Sequence, residues 1–465
     1  MDLHRLAAVD LAAKIKSREV SSLEATEAAI VRLKATHQKC NSVVSFDEDE
    51  ALEAAKAADK AIADGTETGP LHGVPLAHKD MFDRVGKTAS WGGNIHAESP
   101  AKRDGTLIER FKAAGSHQIA ALHLTEFAYG PIGHNYVLGH ARNPWNPAHV
   151  SGGSSSGTAM SIATGAIAGG MGSDTAGSLR LPASACGIMS MKPTWSRVTR
   201  AGAMPLAASL DQVGPMARDA RDLAVMLKLM AGFDARDPAS SKRAVPDYPA
   251  FVGRPVKGMK IGIDEDLIGQ ADKSVQERLL QALHLLEDAG CERVDVRIDN
   301  WATLDHLAQL VQLSEAAAAH SPFLRHQADK YGPQVQARVE YGHYVPAHDY
   351  LVAMRARGMM LQKILDEVYT HCDVVMLPNF AGPIPTIEEL DVGGGPQLLA
   401  ALTKVMRYSR PLNYLKLPAL TLPYPAISGS LPNGFQLMGR PFSEGRLLSI
   451  ASAYQERRPV ELAPL

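Results

Sequence analysis

Ser154 and Ser178 stand 24 residues apart, each inside a run of small residues: S-G-G-S-S-S-G from Ser151 to Gly157, and G-S-D-T-A-G-S from Gly172 to Ser178. A third segment, G-V-P-L-A-H-K-D from Gly73 to Asp80, brings Lys79 to the end of a short apolar stretch. Two hydroxyls and an amine are the materials of a nucleophile, a proton relay and a base, the set that attacks a carbonyl. Val74, Pro75, Leu76 and Ala77 read as a buried strand that carries the Lys79 ammonium inward. Burial disfavours the charged form and lowers a lysine pKa. From the ordinary ~10.4 only about one lysine in 2,500 is neutral at pH 7, and a depression of about three units makes a useful general base. Asp80 would hold the charge if it paired with Lys79, but successive residues of a strand point to opposite faces.

Other chemistries fit less well. A phosphate loop needs a Lys-Ser or Lys-Thr pair closing its glycine run, and neither run has one. Gly153 to Gly157 formally matches G-x-S-x-G with Ser155 at its centre, yet the nucleophile elbow needs a hydrophobic strand directly before it, and Asn146 to Gly152 is not one. His117, His123, His134, His140 and His149 cluster in sequence without a metal-ligand spacing, so no metal site is expected. A Gly/Ser run by itself usually marks a flexible loop. Here residues 158 to 168 have helix-compatible composition, so the run opens a helix.

The elements that must hold these segments alternate. The first 65 residues read as helices, with Ser21 and Glu24 forming a capping box and a second helix over Glu48 to Asp64. Asp104 is placed to cap a helix bearing Leu107, Ile108 and Phe111, before a strand from Ile119 to Leu122. The strand Gly170 to Ser173 leads into the turn Asp174 to Ser178. The strand Met259 to Ile263 precedes a helix with Val275, Leu279, Leu283 and Leu286 on one stripe, then Val294, Val296 and Ile298 in a further strand. Later strands are expected at Val374 to Leu377, Leu420 to Leu422 and Phe435 to Met438. Residues 300 to 370 read as helical, with Leu351, Leu361, Leu365 and Val368 as a buried face, and residues 300 to 360 as a lid. This order predicts an α/β fold: one large domain over residues 1 to 465, with a mixed, mostly parallel twisted sheet covered by helices.

Composition agrees with a soluble enzyme. Of 465 residues, 45% are apolar and 21% charged, and 48 basic against 50 acidic residues leave a net charge of −2. With no block of like charge, neither nucleic acid nor a membrane surface is an expected partner. Cys40, Cys186, Cys291 and Cys372 are dispersed, as in a chain that keeps its thiols reduced, and the N-terminus lacks the pattern of a secretory signal. The expected location is the cytoplasm, and a homodimer is a common assembly for such an enzyme.

Several segments together resemble the amidase signature family: G-V-P with K-D (Gly73 to Asp80), G-G-S-S (Gly152 to Ser155), G-S-D-T-A-G-S-L-R-L-P-A (Gly172 to Ala183), Cys186-Gly187, M-K-P-T (Met191 to Thr194), and Pro205 to Arg218. Similarity is dense over residues 70 to 232, the expected catalytic core, and returns at Asn413 to Phe442. The resemblance implies a single α/β domain, with Ser178 as nucleophile, Ser154 as bridging serine, Lys79 as base and a cis Gly153–Ser154 peptide. It implies an oxyanion hole from the N–H groups of Thr175, Ala176, Gly177 and Ser178, with Ser155, Asp174 and Arg180 supporting the loops. The implied activity is hydrolysis of carboxylic amides, extending to aryl amides, esters or carbamates, through an acyl-enzyme that water releases, with no cofactor and no metal. The chain departs from the pattern at Ala176, where glycine is usual and a methyl would narrow the loop, and at Leu415-Lys416, where a small pair is usual. Ser314 to Tyr331 lacks the acidic, glycine-containing pattern associated with glutamine recognition in the tRNA-dependent amidotransferase A subunit. A stand-alone amidase is therefore expected over that glutaminase subunit. A non-catalytic binding protein would be expected to lack a catalytic residue, and none is missing.

Overall fold

Glu24 N–H donates to Ser21 Oγ at 3.0 Å and Ser21 N–H donates to the Glu24 carboxylate at 2.8 Å, closing the expected capping box on the helix Ser22–Cys40. The computed structural model describes residues 2–95, 99–427 and 429–465. The N-terminal segment is not wholly helical. Strand β1 (Val43–Phe46) lies between the helices Ser22–Cys40 and Glu48–Ala63 and pairs antiparallel with β3 (His117–Leu122). On its other side β3 pairs in parallel with β2 (Pro75–Lys79), so Lys79 ends a strand buried along its whole length. The helix Thr106–Ala113 connects these parallel strands, as a parallel crossover requires. Asp104 does not cap it: Gly105 occupies that position, and the Asp104 carboxylate accepts from Val85 N–H at 2.8 Å and from Lys112 Nζ at 2.6 Å.

The larger sheet has eight strands: β4 (Gly169–Asp174), β5 (Met189–Lys192), β6 (Gln212–Ala217), β7 (Lys260–Ile263), β8 (Glu292–Asp295), β9 (Val374–Pro378), β10 (Ala419–Pro423) and β11 (Gly434–Gly439). Their spatial order is β4-β6-β5-β10-β11-β9-β7-β8. The sheet is mixed, as expected, but it is not mostly parallel. Only β7 with β9 and β7 with β8 run parallel, and every other pairing is antiparallel. The expectation holds where a helix links neighbouring strands, as Lys273–Asp288 links β7 to β8. It fails where β6 inserts antiparallel between β4 and β5, and where β10 and β11 join through a loop as an antiparallel pair.

Three helices, Trp301–Gln327, Pro333–Gly342 and Ala347–Glu367, fill the middle segment. Val368 is buried, but Leu351 is 49% exposed. The face turned inward carries Ala353, Arg357 and Ile364, and Leu351, two positions from Ala353, falls on the opposite side of a 3.6-residue helix. No helix among the described residues is long and apolar enough to cross a membrane.

Candidate active site

The Gly/Ser run is a packed core element. Ser151, Ser154, Ser155 and Ser156 are fully buried, and the helix Ser156–Ala163 is buried on every face. Small side chains are required because neighbouring backbones come so close. A Cβ on Gly157 would lie 2.4 Å from both His123 N and Ser42 O. The Gly153–Ser154 peptide bond is cis.

Lys79, at the inner end of β2, is 1% exposed. Its Nζ donates to Ser154 Oγ at 2.7 Å and to Ser173 Oγ at 2.8 Å. No carboxylate among the described residues pairs with it. Burial pushes the ammonium down to about 7, with only partial opposition from the Asp174 and Asp211 carboxylates. Asp80 points elsewhere, as strand alternation requires: its carboxylate accepts from Ser90 Oγ at 2.6 Å and Ser90 N–H at 2.8 Å. Ser173 was not singled out in the sequence, although it sits inside the G-S-D-T run. The signal was there, since alternation along β4 turns Ser173 and Asp174 to opposite faces.

Asp174 organises the other face. Its carboxylate meets Arg180 Nε and Nη2 at 3.0 Å each, and accepts from Gly177 N–H at 2.8 Å, Leu179 N–H at 3.1 Å and Asn413 Nδ2 at 2.9 Å. Both members of the ion pair are fully buried. Burial alone would raise the Asp174 carboxyl, but the Arg180 guanidinium holds it well below the usual carboxylate range. Arg180 goes on to Gln436 Oε1 at 2.7 Å and Asn413 Oδ1 at 2.6 Å, tying the 174–180 turn to β11 and to the helix Arg410–Tyr414. Asp174→Asn would leave a buried guanidinium without its countercharge. The expected loss is about 3–5 kcal/mol of unfolding free energy, read as a lower denaturant midpoint at unchanged slope. A loss under about 1 kcal/mol would show that the pair behaves as a surface one.

One loop expectation changes. Gly177 N–H already donates to Asp174 Oδ1, so it is committed inside the turn and not free for a ligand. Its φ of 126° suits glycine, and a Cβ there would lie 2.9 Å from Leu181 Cδ1 and Ser409 Cβ. Ala176 is buried, in an apolar cluster with Ile132, Val150, Leu181 and Phe380. Thr175 Oγ1 donates to the Asp211 carboxylate at 2.6 Å, a second anchor absent from the expected set.

Ser178 follows this turn, and its carbonyl accepts from Ser155 N–H at 3.3 Å, joining the two small-residue runs. At 7% exposure it is the most accessible of Ser154, Ser155, Ser173 and Ser178. Ser155 Oγ is occupied on both sides, donating to Ser173 O and accepting from Ser173 N–H at 3.2 Å each. Of the five clustered histidines, only His134 and His140 come together, with Asp391; their ligand atoms lie within 4.8 Å of one another. His140 Nδ1 accepts from Asn135 N–H at 3.0 Å, so a neutral ring carries its proton on Nε2, the nitrogen facing Asp391. A metal ligand needs that nitrogen bare, so the arrangement fits a His–Asp contact better than a cation site.

A model of the amidase family matches residues 24–448. The chain belongs to the amidase family. The A subunit of glutamyl-tRNA(Gln) amidotransferase from Methylococcus capsulatus is 33% identical to it, covering 98% of this chain and 97% of that protein. AmiD of Mycobacterium bovis, whose name describes an amidase, is 34% identical over 98% of this chain and 94% of its own. Among solved structures, a peptide amidase in complex with the inhibitor chymostatin superposes with a TM-score of 0.87 at 26% identity, covering 99% of both chains. The chain is thus an enzyme of a family that acts on carbon–nitrogen bonds, and its α/β fold is that of amidases.

Proposed function

We propose that this amidase hydrolyses carboxylic amides with Ser178 as nucleophile, Ser154 as proton relay and Lys79 as base. The observation that carries the reading is the fully buried Lys79, unpaired with any described carboxylate and 2.7 Å from Ser154 Oγ. A base whose ammonium is pushed to about 7 is neutral in half the molecules at that pH. Neutral Lys79 takes the Ser154 proton as Ser154 takes that of Ser178. The Ser178 oxygen bonds to the amide carbon, and the carbonyl pair moves onto oxygen. With Gly177 N–H engaged by Asp174, the N–H groups of Thr175, Ala176 and Ser178 are the ones left to receive that charge. Each such donor contributes about 3 kcal/mol.

Collapse of the intermediate breaks the C–N bond. The proton returns through Ser154 to the departing nitrogen, leaving an ester on Ser178. Water then attacks the ester by the same relay, releasing the acid and restoring Ser178. Esters and carbamates present the same carbonyl carbon and follow the same course. Ser155, Asp174 and Arg180 hold the loops and do not touch the reacting atoms.

The similarity to amidotransferase A subunits favours one rival: a glutaminase that passes ammonia to a partner. The two readings separate on the purified chain alone. A stand-alone amidase releases amine or ammonia from a panel of simple aliphatic and aryl amides and is no better on glutamine. Release from glutamine only, together with tight co-purification of a second subunit, would establish the rival.

A further inference from the structure

Lys79 Nζ has two hydrogen-bond partners among the described residues, Ser154 Oγ at 2.7 Å and Ser173 Oγ at 2.8 Å. The relay uses the first and leaves the second without a task. Both partners are hydroxyls, and a hydroxyl donates or accepts as its surroundings ask. A neutral amine carries two N–H donors and a single lone pair. With the lone pair toward Ser154, Lys79 takes a proton from it. With the lone pair toward Ser173, Lys79 donates to Ser154 instead, and the relay is blocked. The base therefore works only while Ser173 is held in the accepting role.

The surroundings of Ser173 supply that bias. Ser155 Oγ fixes its main chain, accepting from Ser173 N–H and donating to Ser173 O at 3.2 Å each. Ser173 also lines a cavity of about 180 Å³, together with Thr175, Asp211 and Gln212, whereas Lys79, Ser154 and Ser178 are not among the lining residues. That volume has room for several waters at about 30 Å³ each, and the polar lining gives them partners. Apart from Lys79, the Ser173 hydroxyl has no hydrogen-bond partner among the described residues, so its hydrogen turns to the cavity.

The charged groups around Lys79 are engaged elsewhere. Asp174 is paired with Arg180. Asp211 accepts from Thr175 Oγ1 at 2.6 Å, Leu206 N–H at 2.9 Å and Ala207 N–H at 3.0 Å. On β2 itself, His78 Nδ1 accepts from Met171 N–H at 3.1 Å, and Asp80 turns to Ser90. The direction of the two Lys79 hydrogen bonds is thus left to the serines.

We propose that Ser173 is a positioning residue that sets the direction of the relay. Its oxygen takes an N–H of neutral Lys79 while its own hydrogen meets water in the cavity, which leaves the Lys79 lone pair for the Ser154 proton. This rests on the reading of Ser178, Ser154 and Lys79 above and deepens it. Ser173 touches no reacting atom.

The test is the pH profile of kcat for a simple amide in Ser173→Ala and Ser173→Thr. Ser173→Ala leaves a buried Lys79 N–H without its acceptor and frees the lone pair to turn away. The plateau kcat is expected to fall about ten- to a hundredfold, with KM unchanged. The Ser173 oxygen also accepts from the ammonium and so favours the charged form. Its removal lowers the folded-state pKa of Lys79 further, and the limb near pH 7 is expected to move about one unit to lower pH. Ser173→Thr keeps a hydroxyl on the same carbon and is expected to return both the rate and the limb. The position of the limb is read within one protein, so it does not depend on how much of a variant folds. An unchanged plateau, a limb that stays in place in Ser173→Ala, or a Ser173→Thr protein as slow as Ser173→Ala would overturn the proposal. Failure of the triad reading shows separately, as a limb that persists in Lys79→Ala.

Discussion

Ser178→Ala is expected to lower kcat/KM for a simple amide by about 10⁴-fold or more and to abolish covalent labelling by a serine-directed phosphonate. The size follows from what the hydroxyl does: without it no acyl-enzyme forms, and what remains is binding and polarisation of the carbonyl. Accessibility supports the choice, since Ser178 is 7% exposed whereas Ser154 and Ser155 are fully buried. Ser155, the formal centre of the G-x-S-x-G match, has its hydroxyl tied to both main-chain groups of Ser173. Labelling of Ser155 or Ser154 in the Ser178→Ala protein would move the nucleophile to that residue and sink the assignment.

Lys79→Ala is expected to cost about 10²–10⁴-fold at neutral pH and to change the shape of the pH profile. In the unaltered enzyme, burial lowers the folded-state pKa of Lys79 from 10.5 to about 7, so the base is protonated and inactive below that pH and neutral above it. Activity should therefore climb through about pH 7 and level off, the base form gaining tenfold per unit on the acid side. In Lys79→Ala that limb should vanish, and the residual rate should climb steadily toward high pH as hydroxide replaces the amine. A limb that stays near pH 7 in the variant would assign it to another group. Glu126 and Asp222 are the alternatives by value: burial raises each carboxyl to about 7.

Much of the proposed site is legible in the sequence. Lys79 at the end of an apolar run, Ser154 in one small-residue run and Ser178 in another are local features, and local features follow from residue type and spacing. The capping box at Ser21, the stripe of Val275, Leu279, Leu283 and Leu286, and most strands likewise lie where periodicity places them. Expectations that needed a partner did less well. Asp104 found Val85 and Lys112 in place of a helix terminus, and Leu351 faced outward because the helix bearing it docks through Ala353, Arg357 and Ile364. Strand direction failed for the same reason: a helical crossover implies a parallel neighbour only if no later strand inserts, and β6 does.

By itself, the sequence picked out the serines and the lysine proposed for the site, and the small residues that crowd around them. The tertiary structure decided how those groups are engaged. It set Ser173 as the second partner of Lys79, committed Gly177 N–H to Asp174, and brought Arg200 and Lys416 from distant segments onto the Trp195 ring. The physical reason is that a pKa or a free donor is a property of what surrounds a group in space. Lys79 is suited to the proposed role of base only because β2 carries it where neither water nor a paired carboxylate holds its charge.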